Sequence, residues 1–491
     1  MANKLYVFGI GGTGSRVIKA LAMLLASGVK LDSSFNTVVP IIIDPDTANG
    51  DLNRTADILT KYQNIVNKAG SENALFGTKI KTLTQLTNEN SPNLSNNFKF
   101  GIDGSGQEFG QSIDYNGLDD ENKALIDLLF SKENIEADMT VGFKGNPNIG
   151  SVVLNKIVDS NEYVEFSNSF NQGDAIFIIS SIFGGTGASG FPLLLKNLRT
   201  NDASKLNSNL ISKATIGAIS YLPYFKVSDN DNTKKAIDSA TFFGKAKAAL
   251  SYYEHAIFNN NNSILNAFYY LGDNANNNMK YAVGKLAQKN KAHFVELAGA
   301  LAIVDFVKSI PVVSQSNQTA IKEFGVEDGS LKLKFDSLGQ DAKDKLRVPL
   351  SKMYLFDTFI EKSMGELLKS PGSYNGENGI KKEFYNSDFY KIEFIPFLNY
   401  FKEWIGEMAT NEISFTPFHQ NQKHDSLLDF IIGNKVSKGG LLSRNKITGD
   451  ILIKNAHKLV KEGKLNNVTV EERFIKVFDE ILTVQLNNIL N

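Results

Sequence analysis

Three glycine-bearing turns carry most of the chemistry open to this sequence. The first, Gly9–Ile10–Gly11–Gly12–Thr13–Gly14, lies between an apolar run at Leu5–Phe8 and a helical pattern beginning at Ser15. Glycines there allow a backbone to approach phosphate closely, and a helix start offers free N–H groups with a partial positive charge. The same turn satisfies the GxGxxG dinucleotide fingerprint, with Asp44 at the end of the next strand imitating a ribose-binding acid. It is equally the composition of a plain strand-to-helix turn. The second turn, Phe183–Gly184–Gly185–Thr186–Gly187–Ala188–Ser189–Gly190, again follows a buried-type strand and precedes a helix, with Pro192 expected in the first helical turn. A dinucleotide fold needs one such turn; two at neighbouring strand ends would grip one polyphosphate from both sides. The alternative is a glycine run needed only for helix–sheet packing. The third turn, Gly142–Phe143–Lys144–Gly145–Asn146–Pro147–Asn148–Ile149–Gly150, adds amides and a cation suited to terminal phosphate oxygens, or is an ordinary turn. No GxxxxGK[ST] phosphate loop is present.

The elements that must hold these turns alternate. Strand patterns at Leu5–Phe8, Val38–Ile43, Ala175–Ser180 and Ala214–Ser220 are separated by helical stretches such as Ser15–Ala26, with Gly28 as its C-cap. That order predicts a parallel α/β sheet with helices on both faces. Ala236–Ile257 reads as one long helix, His293–Val307 as a strongly apolar one, and the chain closes on an amphipathic helix from Val470 to Leu482. Asn259–Asn262 and Asn274–Asn278 read as polar surface insertions. The expected division is a nucleotide-binding part over 1–228, a central helix region over 229–309, and an α+β part over 310–491.

At these turns the sequence resembles the tubulin/FtsZ superfamily, in particular its bacterial tubulin-like branch. "DAIFIISSIFGGTGASGFP", Asp174 to Pro192, is similar to the superfamily's signature strand and loop, although Phe183 and Ser189 stand where glycine is usual. "VFGIGGTGSR" resembles the first nucleotide loop, "GFKGNPNIG" the terminal-phosphate loop, "IIIDPDTAN" the segment carrying an acid near magnesium, and "IGAISYLPY" the ribose-side strand. The likeness covers about residues 5 to 300 and is patchy between 51 and 140. It implies GTP or GDP as ligand with Mg2+. Gly11, Gly12, Thr13, Gly14, Ser15, Asp44, Gly145, Asn146, Gly184, Gly185, Thr186, Gly187, Ala188 and Ser189 would line the nucleotide. Asp46 would hold the metal through water, and Phe243 (or Phe242) would stack on guanine. It also implies head-to-tail self-assembly, with hydrolysis completed by an acid from the next subunit. That acid belongs to an Asn-x-Asp-x-x-Glu/Asp pattern after the long central helix. Lys291–Ala292–His293–Phe294–Val295–Glu296 is the expected counterpart, with Glu296 as the second acid and His293 replacing the first. Glu296 and His293 read equally as helix-start residues, or as half of a metal site. A scaffold or switch without hydrolysis or polymerisation, and a nicotinamide-dependent oxidoreductase, are the competing functions.

Composition narrows the rest. Basic and acidic residues number 52 and 53, so nucleic acid is not an expected partner. With no cysteine, thiolate catalysis and cysteine-bound zinc are excluded. No apolar run approaches the ~20 residues of a membrane span. The expectation is a cytoplasmic protein whose main partner is itself.

Overall fold

The computed structural model describes residues 3–71, 73–87, 97–143, 145–228, 239–258, 264–273, 278–280, 284–323, 331–419, 427–432 and 447–490. Its centre is an eight-stranded sheet built from β1 (Asn3–Ile10), β2 (Phe35–Ile43), β3 (Lys79–Ile80), β4 (Lys99–Phe100), β5 (Ala175–Ser181), β6 (Thr215–Tyr221), β7 (Ala267–Leu271) and β8 (Ala320–Glu323). The order is β8-β7-β6-β5-β1-β2-β3, with β4 continuing the β2 edge beyond β3. Every pairing in it is parallel. All eight carboxyl ends therefore open on one edge. The expected parallel α/β architecture is what the chain adopts.

Side chains sort by the two-residue period of a strand. Leu5 and Val7 face one core with Phe177 and Ile179, while Tyr6 and Phe8 face the other with Ile176 and Ile178. The main helices are α1 (Gly11–Ser27), α2 (Gly50–Ala69), α3 (Pro147–Leu154), α4 (Gly185–Arg199), α5 (Ser239–Tyr253), α6 (Phe294–Val313), α7 (Gln340–Lys362), α8 (Ile395–Met408) and α9 (Val470–Leu490). The first core joins α1, α2 and α6 to α7, α8 and α9, so C-terminal helices share packing with the sheet. The second lies under α3, α4 and α5.

Three sequence expectations shift. The long buried helix is α6, of 20 residues and apolar on nearly every face, which is the pattern of a helix enclosed in a core. The Ala236–Ile257 helix is α5, of 15 residues, followed by one wide turn at Glu254–Phe258; its first residues, and the Asn259–Asn262 insertion, lie outside the described residues. Most of the Asn274–Asn278 insertion does too. Pro192 falls inside α4 rather than in its first turn, because the helix already starts at Gly185. Proline leaves the carbonyl four residues back without its helical donor, and here the Tyr253 hydroxyl donates to the Ala188 carbonyl at 3.3 Å. After residue 331, strand among the described residues is confined to a two-residue parallel pair, Lys332–Leu333 with Ser414–Phe415.

α6 lies so close to β6 that a β-carbon on Gly299 would stand 1.6 Å from the Tyr221 hydroxyl oxygen. Gly299→Ala should therefore cost about 1–3 kcal/mol through overpacking, and Tyr221→Phe in the same chain should recover part of it. Chemical denaturation of the two single variants and the double variant measures this. Purely additive losses would count against the contact.

Candidate functional site

Parallel pairing brings the turns together at the carboxyl edge. β1 lies between β2 and β5, with Ile10 opposite Ile43 and Gly9 opposite Ile179. α1 starts directly after β1, and α4 starts four residues after β5. Neither helix has a side-chain cap, and neither has an acidic residue in its first turn. The first four N–H groups of a helix have no intrahelical acceptor, so two donor-rich ends meet. A β-carbon on Gly11 would lie 3.6 Å from Thr186 Cβ and 3.7 Å from the Gly187 nitrogen. Gly11 itself has φ +74°, a conformation that favours glycine. The third turn closes the other side: a β-carbon on Gly185 would meet the Asn146 nitrogen at 3.0 Å and that of Gly145 at 3.2 Å.

Not every glycine serves a ligand. A β-carbon on Gly14 would come within 2.5 Å of the Gly9 carbonyl carbon, and one on Gly187 within 2.6 Å of the Ser181 carbonyl oxygen. Those positions are glycine because backbones touch, so the packing explanation holds for them. Gly12 and Gly184 are only partly buried, and a β-carbon on either would stay 3.3 Å or more from its neighbours.

Several expected side chains are committed elsewhere. Ser189 Oγ donates to the Gly185 carbonyl at 2.7 Å, and Ala188 is engaged by Tyr253. Asn146 caps α3 by accepting the Asn148 N–H, and its amide donates to Asn134 Oδ1 at 2.8 Å. Its side chain is thus no free phosphate sensor in this arrangement. Thr13 Oγ1 accepts from Arg16 at 3.3 Å, whereas Ser15 Oγ is buried without a protein partner. The side chains of Phe242 and Phe243, and all of Lys144, lie outside the described residues.

Asp44 and Asp46 continue from β2 beside the first turn. Asp46 Oδ2 accepts the Lys285 N–H at 2.6 Å, while Oδ1 is buried and has no partner. An orphan carboxylate oxygen is costly, and one at a donor-lined cleft suits a hydrated divalent cation. No group of three or more potential ligand side chains occurs among the described residues. Mg2+ is commonly held by one or two carboxylates with substrate phosphates, and Asp46, with one oxygen unpartnered, could be such a carboxylate. Asp44 Oδ1 accepts the Asp46 N–H, and burial followed by repulsion from Asp46 and Asp51 pushes its carboxyl up to about 7. A carboxyl so enclosed is poorly placed for a ribose diol.

His293 and Glu296 require correction as an acid pair offered to a neighbour. Both are fully buried, at 0% exposure, and they form the capping box of α6. His293 Nδ1 accepts the Val295 N–H at 3.2 Å, and Glu296 Oε2 accepts the His293 N–H at 3.1 Å. Burial lowers the imidazole to about 4, so it is neutral at pH 7 and its 3.7 Å contact with Asp273 is not an ion pair. Glu296 Oε1 accepts hydrogen bonds from Arg16 Nε–H at 2.5 Å and the Tyr224 hydroxyl at 2.9 Å. Burial alone would raise this carboxyl, but Arg16 and Lys19 hold it below the usual range. The helix-start reading is the one this geometry supports.

Sequence reasoning missed the partners that make this arrangement. Arg16 also reaches Asp51 at 3.3 Å; Asp51 accepts from Arg54 and Asn290, and Arg54 pairs with Glu407 at 2.6 Å. Arg16 lies two residues past the first glycine turn, which was a usable signal. Its partners lie as far as 280 residues away and have no local signature.

Neither a family model nor a curated protein matches the chain. Among solved structures it is similar to a GTPγS-bound CetZ2 protofilament from Haloferax volcanii, at 13% identity and TM-score 0.30, covering 62% of this chain and 59% of that one. A mutant FtsZ of M. jannaschii gives 14%, 0.29, 64% and 58%. CetZ1 from Haloferax volcanii, a GDP-bound monomer, gives 11%, 0.30, 64% and 65%. The chain thus spans less than two thirds of each. At these identities and scores the likeness carries no argument about family or chemistry.

Two measurements follow from the buried charges. Glu296→Ala removes the nearer carboxylate of Arg16, leaving Asp51 at 3.3 Å, and should cost about 3 kcal/mol, with Arg16→Met in the same chain recovering part of the loss; denaturant unfolding reads both. For Asp44 the folded value lies above the unfolded one. Its contribution is full at low pH and is lost as pH rises from about 4 to 7. Melting temperatures should show Asp44→Asn gaining on the parent chain across that window, then holding constant above it.

Proposed function

We propose that the chain is a tubulin-like subunit that binds GTP with magnesium at the carboxyl edge of its sheet and assembles head to tail. The observation that carries the reading is the meeting of two uncapped helix starts, with Gly11 against Thr186 and Gly187. Each helix end carries roughly half a positive elementary charge. Two such ends side by side at one edge repel until an anion bridges them. Backbone amides of Gly11–Ser15 and Gly184–Gly187 bind the phosphates, and Gly145 closes one end. Asp46 would hold magnesium, which when bound neutralises phosphate charge. The choice of guanine rests on the sequence resemblance, from Asp174 to Pro192 above all.

The hydrolytic acid moves with the long helix. Because α6 is the enclosed helix, the acidic segment is sought at the start of the next long helix, α7, where Gly339–Gln340–Asp341–Ala342–Lys343–Asp344 lies beyond β8. Asp341 and Asp344 take the two acid positions of Asn-x-Asp-x-x-Glu/Asp, and Gly339 replaces the asparagine. Both acids are exposed; Asp341 accepts from Lys345 at 2.5 Å and Asp344 from Gln340 at 2.6 Å. A neighbouring subunit would present them to the attacking water, which phosphoryl transfer needs mainly positioned and polarised. A head-to-tail contact is heterologous and propagates into filaments unless it closes.

GTP turnover per subunit should rise with protein concentration. Asp344→Asn should bind GTP within about twofold of the parent yet lose turnover by about tenfold or more. A per-subunit rate independent of concentration would instead favour the scaffold or switch reading, for which the buried Glu296 speaks.

A further inference from the structure

The three turns supply amides, but the charge balance of the site is uneven. Arg16, beside the first turn, is matched by Glu296 and Asp51. Lys245, on α5, is not: it donates to the Gly145 carbonyl oxygen and has no carboxylate partner among the described residues. α5 is held across the start of α4 by Tyr253, whose ring meets Phe191 at 5.2 Å and whose hydroxyl reaches Ala188. Ala246 and Tyr253, seven residues apart, bury one face of α5. Lys245 is thereby aimed at the third turn rather than free in solvent.

We propose that Lys245 is the cation that contacts the terminal phosphate and separates a nucleoside triphosphate from a diphosphate; this rests on the nucleotide reading above. Gly145 abuts the start of α4, as the β-carbon positions show, so a phosphate chain lying across α1 and α4 ends at this turn. Apart from Lys144, which lies outside the described residues, the turn presents amides, glycines and asparagines, with Phe143 buried beneath it and no exposed ring for a base among its described residues. Its end of the ligand is the phosphate end. The ammonium rests on a neutral carbonyl. Exchanging that carbonyl for a phosphate oxygen replaces a bond with charge on the donor alone by one between two ionised groups. Partial burial lowers the Lys245 ammonium, and an anion beside it would act in the opposite direction.

Calorimetric titration of the full chain with GDP and with a non-hydrolysable GTP analogue, both with Mg2+, tests this. Lys245→Met should weaken the triphosphate by about tenfold or more and leave GDP within about twofold. Lys245→Arg, which keeps the charge, should preserve most of the preference, and Lys245→Gln should repeat the loss if the methionine variant fails to fold. Equal weakening of both ligands, or of neither, overturns the role of Lys245 while leaving the nucleotide reading intact. A parent chain that binds neither ligand overturns both.

Discussion

The constraint on which the molecule depends is the burial of Arg16. A guanidinium at 2% exposure is tolerable only when its donors are matched, and here Glu296, Asp51, Tyr224 and Thr13 match them. Those four come from the start of α6, the start of α2, the segment after β6 and the first glycine turn. One side chain thus sets where the turn lies relative to the helix that fills the core. Asp51, Arg54 and Glu407 extend the same network to α8, so the C-terminal helices are fastened to the back of the site by charge as well as by apolar contact.

That fastening explains why Glu296 serves the fold. A carboxylate held below its usual range by Arg16 and Lys19 is ionised and fully coordinated. Pulling it out towards another subunit would strand a buried guanidinium. An acid intended for a neighbour has to be exposed and lightly held, and Asp341 and Asp344 meet that condition. The segment from Gly284 to His293 serves both sides. Lys285 donates to Asp46, Asn290 donates to Asp51, and His293 starts the enclosed helix.

Two demands meet in the glycine turns. Close approach between backbones accounts for Gly9, Gly14 and Gly187, where no side chain would fit. The donor-rich gap between α1 and α4 accounts for what close packing does not, namely the missing caps at both helix starts. A cap on either helix would have stabilised it by about 1 kcal/mol, and its absence at both neighbouring ends is the feature that points to an anion.

By itself, the sequence determined the local matters. Apolar runs ending in glycine turns set β1, β5 and the starts of α1 and α4, because strand period and backbone freedom are properties of neighbouring residues. The order of these elements determined a parallel sheet, and the parallel sheet implied that both turns share an edge. Tertiary structure alone decided which charges are buried together. Arg16 and Glu296 are 280 residues apart, and no pattern within either segment records the pairing. It also decided what encloses the long apolar helix: the run from His293 to Val307 reads as buried, but its packing against α1 and the sheet is set by the fold. Ion pairing and burial depend on what lies across the fold, and a linear pattern does not carry that information.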